Sequence, residues 1–194
     1  MLEYAWIIPI LPLISFILIL LFGDKLKEGG GHVAVAFIGA SMIISLLCIS
    51  DVLSGNSIEI RGINWINWEG FEFGILVDSL AGLMMFVVSF VGFLIVVYSL
   101  GYMHGDDGVQ RYYAEISLFI ASMLGVIMAN NLLLLFISWE LVGLCSYLLI
   151  GFWYRKPSAA SAAKKAFLVT RVGDFMFLLG IIVIYIHFGT FNLL

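Results

Sequence analysis

Residues 131–154, NLLLLFISWELVGLCSYLLIGFWY, form one apolar run with a single acidic residue near its middle. A helix rises about 1.5 Å per residue, so roughly 20 residues cross a hydrocarbon core about 30 Å thick. Glu140 stands nine residues after Asn131 and is therefore predicted to lie near mid-membrane. An acidic side chain at that depth costs about 2.5–3.5 kcal/mol on insertion scales, and the usual reason to carry it is an ion or proton path. The alternative is a glutamate held by a donor on a neighbouring helix, purely for assembly.

The rest of the chain has the composition of a membrane protein. Of its 194 residues, 63% are hydrophobic and 11% charged, whereas soluble domains carry about 25% charged residues. The net charge of −4 gives no support for nucleic-acid binding. Six apolar runs are long enough to span: 4–22, 32–53, 78–102, 111–129, 131–153 and 160–188. We therefore predict an all-α, polytopic transmembrane helix bundle in which Cys48 and Cys145 are small buried hydrophobes and form no disulfide.

The segment 54–77 interrupts the helical pattern. Its alternation, IEIRGINWINW, predicts a strand or hairpin lying over the membrane surface. Trp65 and Trp68 are expected at headgroup depth as interface anchors. The acidic residues of this loop are Glu59, Glu69 and Glu72. A solvated acidic face explains them more simply than a funnel for cations.

Several polar residues have positions that predict helix ends. Asp78 precedes the third helix, where a carboxylate caps the helix and complements its dipole. The pair Asn130–Asn131 leaves room only for a tight turn between antiparallel helices. Pro157 blocks continuation of the fifth helix, and Ser158 is the predicted cap of the sixth.

The link between the third and fourth helices contains a second group of polar residues. Asp106 and Asp107 lie in a GDDG turn, which explains these carboxylates better than a metal site built with His104. Glu115 follows one turn into the fourth helix. We expect its side chain to extend toward the interface rather than to act as a proton relay.

The sixth helix carries the densest charge within an apolar run. Lys164 and Arg171 lie seven residues apart on one face, and Asp174 follows Arg171 by three. Glu140, counted from one membrane surface, reaches a depth similar to that of Arg171 and Asp174, counted from the other surface. If the fifth and sixth helices are antiparallel neighbours, these two acids and the cation lie together. Arg171 and Asp174 then have two possible roles, a structural ion pair or a direct part in proton transfer.

The loop charges predict the orientation of the chain. One side collects seven basic residues, namely Lys25, Lys27, Arg111, Arg155, Lys156, Lys164 and Lys165, whereas the other has Arg61. The positive-inside rule places both the N-terminus and the 54–77 loop outside.

The run NNLLLLFISWELVGLCSYLLIGFWY, with KKAFLVTRVGDF at 164–175, resembles the antiporter-like proton-pumping subunit of respiratory complex I. This subunit is called L in bacteria and 5 in mitochondria, and it is related to the large subunit of multisubunit cation/proton antiporters. The resemblance implies that Glu140 is a key protonatable residue. It also implies that the charges of the sixth helix, Lys164, Lys165, Arg171 and Asp174, take part in or modulate proton transfer.

The same resemblance implies an organisation in two parts. Residues 1–110 would be an N-terminal three-helix region with the external loop. Residues 111–194 would be the first three helices of an antiporter-like domain, at the start of an inverted repeat. The family continues into a broken helix with a central lysine, so we expect the chain to be a fragment or a truncated product.

The resemblance finally implies coupling between NADH (or a related donor):quinone electron transfer and proton translocation in an energy-transducing membrane such as the cell membrane. The sequence has no glycine-rich nucleotide motif and no cysteine cluster, so flavin, iron–sulfur clusters and quinone are expected on partner subunits. Two alternatives stay open: a subunit of a multisubunit sodium/proton antiporter, and a non-transporting assembly subunit.

Overall fold

The computed structural model describes residues 2–53, 57–64 and 72–193. A short 3₁₀ turn, Leu2–Tyr4, precedes the first long helix. The helices are α1 (Ile7–Phe22), α2 (Gly31–Leu53), α3 (Ser79–Tyr102), α4 (Val109–Met128), α5 (Leu132–Ile150) and α6 (Pro157–Phe188). The strands are β1 (Ile58–Asn64) and β2 (Glu72–Val77). The six predicted spans are thus helices, each long and apolar enough to cross a membrane.

The predicted hairpin is also present. Strands β1 and β2 pair antiparallel, from Ile58 opposite Val77 to Asn64 opposite Glu72, with a register shift between Ile60 and Ile63. The expected interface anchors Trp65 and Trp68, and Glu69 with them, lie outside the described residues.

Helix α4 is the centre of the bundle. It packs against α1, α2, α3 and α5, whereas α6 packs principally on α5. Serine hydroxyls join neighbouring helices: Ser45 and Ser89 lie 2.7 Å apart between α2 and α3, and Ser15 and Ser117 lie 3.2 Å apart between α1 and α4. Small polar residues at these contacts let helix backbones approach where no hydrophobic effect drives association.

The loops fall on two sides of the bundle. The 3₁₀ turn at the N-terminus contacts β1, and the amide of Gly74 in β2 donates to Asn130 Oδ1 at 3.1 Å in the α4–α5 turn. Leu132 N donates to Phe191 O, so the segment after α6 joins the same side. The links after α1, α3 and α5 lie together on the opposite side, where Gly29 and Lys156 each border a cavity shared with the turn after α3. The predicted orientation assumes this same division of the loops between two sides.

Helix ends follow the sequence prediction at some positions and differ at another. Asp78 caps α3, accepting a 2.7 Å hydrogen bond from Ala81 N. The prediction that Ser158 caps α6 is wrong: the helix begins at Pro157, and Lys156 occupies the cap position with no side-chain hydrogen bond. Proline suits the first helical position because its φ is already helical and that position needs no N–H donor.

Both cysteines, Cys48 and Cys145, are buried, as predicted, and neither forms a disulfide with a residue that the structure describes. Helix α6 has 32 residues and is therefore about 48 Å long, more than a hydrocarbon core requires. Its early residues, and Lys164 and Lys165 among them, can thus lie close to the membrane surface.

Candidate functional site

Glu140 is placed by the cap at the start of α5. Asn131 Oδ1 accepts a 2.7 Å hydrogen bond from Leu134 N, which fixes the first turn, and the apolar run then continues without a break. Helices α5 and α6 pack against each other. The turn at residues 151–156 reverses the chain, so α5 and α6 run antiparallel. Residues near the middle of α5 therefore lie at the same level as residues near the middle of α6.

Glu140 forms an ion pair with Arg171 of α6, between Oε2 and Nη1. The same guanidinium donates from Nη2 to the backbone oxygen of Glu140 at 3.3 Å. Its Nη1 also lies 3.6 Å from Asp174 Oδ2. The side chains of Arg171 and Glu140 are 26% and 28% exposed, and Asp174 is 7% exposed. The structure therefore brings together the acid, cation and acid that the sequence predicted.

The guanidinium is held by apolar neighbours as well as by charge. It lies over the ring of Phe167, 4.4 Å from the centroid. A Cβ atom on Gly143 would meet Arg171 Nη2 at 3.4 Å, so the glycine leaves room for the cation beside the α5 backbone. Arg171 Nε is buried and has no hydrogen-bond partner among the described residues.

Asp174 has a second partner that the sequence did not predict. Trp139 Nε1 donates a 2.9 Å hydrogen bond to Asp174 Oδ1. Tyr147, seven residues after Glu140 on α5, packs on Phe167 with ring centroids 5.2 Å apart. The phenol thus supports the ring beneath Arg171.

A cavity of about 800 Å³ opens beside this group between α5 and α6. Gly143, Tyr147, Thr170 and Asp174 are among its lining residues. Space next to a buried carboxylate is where water has polar partners to bind. The rest of the lining is mostly apolar, and Asp174 is the member of the ion-pair group that borders this space.

The two lysines predicted for proton transfer are placed differently. Lys164 and Lys165 are exposed, and neither forms an ion pair with another residue that the structure describes. Arg171 lies seven residues farther along α6, about 10 Å along the axis. Within this chain, the lysines do not join the Glu140 group.

Glu115 contradicts the prediction that its side chain extends to the interface. It is 6% exposed, and its Oε1 pairs with Arg111 Nε at 3.1 Å. The prediction rested only on the position of Glu115 near the start of the fourth helix, whereas the packing of α4 at the centre of the bundle buries its side chain.

One carboxylate of the GDDG turn, that of Asp106, accepts hydrogen bonds from the turn itself and from a neighbouring tryptophan. Asp106 Oδ1 accepts from the amide of Gly108 at 2.9 Å, and its Oδ2 accepts from Trp153 Nε1 at 3.2 Å. The hydrogen bond from the Gly108 amide, and to a lesser extent that from the Trp153 indole, holds the pKa of this carboxyl below its usual range. Turn geometry thus accounts for the carboxylate without a ligand.

Two family models match successive parts of the chain. Residues 65–113 match the N-terminus of chain 5 of NADH-ubiquinone oxidoreductase (complex I), and residues 129–194 match the membrane region shared by NADH:quinone oxidoreductase and the Mrp antiporter. Subunit L of the F(420)H(2) dehydrogenase of Methanosarcina mazei is 50% identical over 182 residues, which are 94% of this chain and 27% of that protein. Chain 5 of the NAD(P)H-quinone oxidoreductase of Synechocystis is 40% identical over 98% of this chain and 29% of that protein. The chain thus spans under a third of the length of these relatives.

Two solved structures share the fold. An archaeal membrane-bound sulfane sulfur reductase superimposes with a TM-score of 0.87 at 22% identity, over 98% of this chain and 38% of that one. The Mrp complex of Dietzia superimposes with a TM-score of 0.78 at 24% identity, over 95% of this chain and 20% of that one. The six apolar helices and the curated relatives make the chain a multi-pass membrane protein. By the matches of both family models and these relatives, the chain belongs to the antiporter-like family of complex I subunit 5 and subunit L.

Proposed function

We propose that this chain belongs to a proton-translocating membrane subunit of a complex I-like oxidoreductase, and that Glu140 is its protonatable residue. The observation that carries the proposal is the Glu140–Arg171 ion pair, which shares its cation with Asp174 beside a cavity between α5 and α6, at the level predicted to lie near mid-membrane. Charged groups at that depth are costly, and those that lie together inside a helix bundle are the ones that proton relays use.

Arg171 gives this group two arrangements. When the guanidinium pairs with Glu140, the ionised form of Glu140 is stabilised by a nearby opposite charge. When the guanidinium moves the short distance toward Asp174, Glu140 loses that partner and takes up a proton from water in the adjacent cavity. Return of Arg171 releases the proton. Electron transfer elsewhere in the complex would therefore act by changing which of its two positions the Arg171 guanidinium occupies.

Three neighbours position the moving parts. Trp139 donates its indole N–H to Asp174. The Asp174 carboxylate therefore stays in place as the second hydrogen-bond acceptor for the guanidinium. Gly143 leaves space beside α5, and Phe167 provides a flat surface on which the guanidinium rests. Lys164 and Lys165 are proposed to carry or modulate protons nearer the membrane surface, where they are exposed.

The redox chemistry is proposed to reside on partner subunits, which would hold the flavin, the iron–sulfur clusters and the quinone. The names of the relatives support such partners, since they are numbered or lettered subunits of quinone or F(420)H(2) oxidoreductases. Other membrane subunits and the lipid bilayer are then the neighbours of the exposed apolar faces of α5 and α6.

A multisubunit sodium/proton antiporter is the second candidate, because the family model over residues 129–194 covers the Mrp antiporter as well. Transport that persists without an electron donor would favour this candidate. Transport that requires electron transfer would favour the complex I-like one. A purely structural subunit would give no transport defect on neutralisation of Glu140.

The deciding experiment uses Glu140→Gln in the full-length subunit, within its complete complex reconstituted in vesicles. We expect assembly and electron transfer to persist and proton uptake, followed with a pH-sensitive dye, to fall by about 100-fold or more, as for loss of a positioned acid or base. Glu3→Gln is the matched control, since Glu3 is exposed at the N-terminus. Full pumping by Glu140→Gln would exclude the proposed function.

A further inference from the structure

Helix α4 carries a second buried carboxylate that the proposed function does not use. Glu115 is 6% exposed, and Oε1 pairs with Arg111 Nε at 3.1 Å. Its other oxygen, Oε2, is buried and accepts no hydrogen bond from any residue that the structure describes. A buried carboxylate oxygen without a partner costs free energy, so it calls for a proton or a bound water.

Arg111 connects this carboxylate with the aqueous side. Its side chain is 41% exposed and lies over the rings of Phe152 and Tyr154, 5.0 and 5.1 Å from their centroids. It also donates to the backbone oxygen of Phe152. A cavity of about 610 Å³ between the turn at 103–108 and the link at 151–156 is lined by Arg111, Asp106 and Lys156. Water therefore reaches the outer end of the Arg111–Glu115 pair.

Buried polar side chains continue inward from Glu115 along the contact between α4 and α5. The thiol of Cys145 interacts electrostatically with Glu115 and is hydrogen-bonded to Ser122. Farther in, Ser138 lies against Gly125, where an added Cβ would meet its hydroxyl at 2.8 Å. We call this set the α4–α5 polar seam; its members are Glu115, Ser122, Ser138 and Cys145, and all four are buried.

The innermost member of the seam, Ser138, is close in sequence to Glu140. Ser138 precedes Glu140 by two residues, so its Cα lies about 3 Å from Glu140 along the helix axis. Its hydroxyl faces α4 at Gly125, whereas Glu140 faces α6 at Arg171. The polar seam thus leads from an aqueous cavity to the level of Glu140, on the other side of α5.

We propose that Glu115 is a proton-loading site at the aqueous entrance of this seam. The inference rests on the proposed function, because it supplies protons to the Glu140 group. A proton from water in the cavity binds Oε2 of Glu115, forming an O–H bond and releasing the carboxylate from its ion pair with Arg111. The same proton then passes to water in the seam, and Glu115 returns to its charged form beside Arg111.

The groups around Glu115 are consistent with such a cycle. Among the described residues, Arg111 on its own helix and Cys145 on α5 are the charged or titratable groups with which it interacts. Arg111 keeps its contacts with Phe152 and Tyr154 when Glu115 is neutral, so the cation does not lose all partners. A single nearby cation can therefore stabilise the charged form without fixing it permanently.

The test uses the complete complex with Glu115→Gln and Glu115→Asp. Glutamine keeps the size of the side chain and still accepts from Arg111, so assembly is expected. Proton pumping should fall by about tenfold or more, because a group that transfers protons is lost. Infrared difference spectra recorded on lowering the pH should lose one protonated-carboxyl C=O band in Glu115→Gln. Glu115→Asp should keep a shifted band and much of the pumping.

The outcomes separate this inference from the proposed function. Full pumping by Glu115→Gln, or an unchanged set of carboxyl bands, would overturn the loading site even if Glu140→Gln abolishes pumping. Full pumping by Glu140→Gln would instead overturn the function proposed above. A purely structural role predicts a lower thermal midpoint for Glu115→Gln with no lost band. If Glu115→Gln fails to assemble, the shifted band in Glu115→Asp decides, since its absence excludes protonation at this position.

Discussion

Trp139 Nε1 donates a hydrogen bond of 2.9 Å to Asp174 Oδ1, although 35 positions separate the two residues in the chain. Trp139 stands next to Glu140 on α5, and Asp174 stands one turn after Arg171 on α6. The bond therefore fixes the two helices at the level where Glu140 meets Arg171. It also leaves Asp174 Oδ2 as the oxygen that faces the guanidinium, 3.6 Å away.

Trp139→Phe should weaken this contact while keeping an aromatic ring. The substitution removes the N–H donor and leaves a buried carboxylate oxygen without it, so the free energy of unfolding should fall by about 1–3 kcal/mol. Thermal unfolding of the purified chain in detergent measures the change. Trp6→Phe is the matched control, because Trp6 is exposed to a similar degree, 44% against 47%. Equal stability of the two variants would contradict the prediction.

Gly82→Ala should destabilise the contact between α2 and α3. A Cβ at Gly82 would meet both γ-carbons of the buried Val52 at 2.9 Å, and a valine side chain has little freedom to move away. The expected loss is about 1–3 kcal/mol. Gly101→Ala on the same helix has no atom within 4 Å and should be neutral or slightly stabilising. Chemical denaturation of both variants tests the pair, and comparable losses would argue against close packing at Gly82.

The sequence predicted the helices and part of the site for a simple physical reason. Lipid requires every backbone polar group to be paired, so a long apolar run must become a helix and its length gives its bounds. Depth along two antiparallel helices could also be counted, and this was sufficient to predict that Glu140, Arg171 and Asp174 meet.

The rotation of each helix could not be predicted in the same way. The apolar residues of α5 are spread evenly around the helix, so the sequence does not indicate which face meets α4 and which meets α6. The Trp139–Asp174 bond and the burial of Glu115 both depend on those rotations. Ser158 was assigned as a cap by its residue type, whereas the fixed φ of Pro157 decided where α6 begins.

The orientation can be tested with two cysteines on opposite sides of the bundle. Ser57→Cys lies next to the hairpin, and Lys156→Cys lies in the α5–α6 link; both positions are exposed. An impermeant maleimide should label the first from outside intact cells and the second only after permeabilisation. The native Cys48 and Cys145 are buried and give a low background. The reverse pattern would overturn the orientation drawn from loop charges.

Asp106 should contribute a pH-dependent stabilisation. The amide of Gly108 and then the indole of Trp153 lower its pKa in the folded chain, so its contribution is present above the unfolded value, about 3.9, and is lost as the pH falls through the folded pKa. Asp106→Asn should therefore lower the thermal midpoint at pH 7, and the difference from the unsubstituted chain should shrink below pH 4. Asp107→Asn, one residue away, is the control. A difference that stays constant with pH would exclude the charge as its cause.

Arg171 offers the sharpest test of how the site is held together, through a double-mutant cycle with Glu140. Arg171→Gln removes the cation between two carboxylates, and breaking a largely buried pair from one side costs about 3 kcal/mol. Glu140→Gln together with Arg171→Gln leaves two neutral amides that can bond to each other, so the double variant should lose less stability than Arg171→Gln alone. Arg171→Lys keeps the charge but not the planar fork that reaches Oε2 and the backbone oxygen of Glu140 as well as Asp174, so this variant should assemble and pump weakly. Denaturant unfolding of the four members of the cycle gives the coupling energy. Additive losses would mean that Glu140 and Arg171 do not act as a pair.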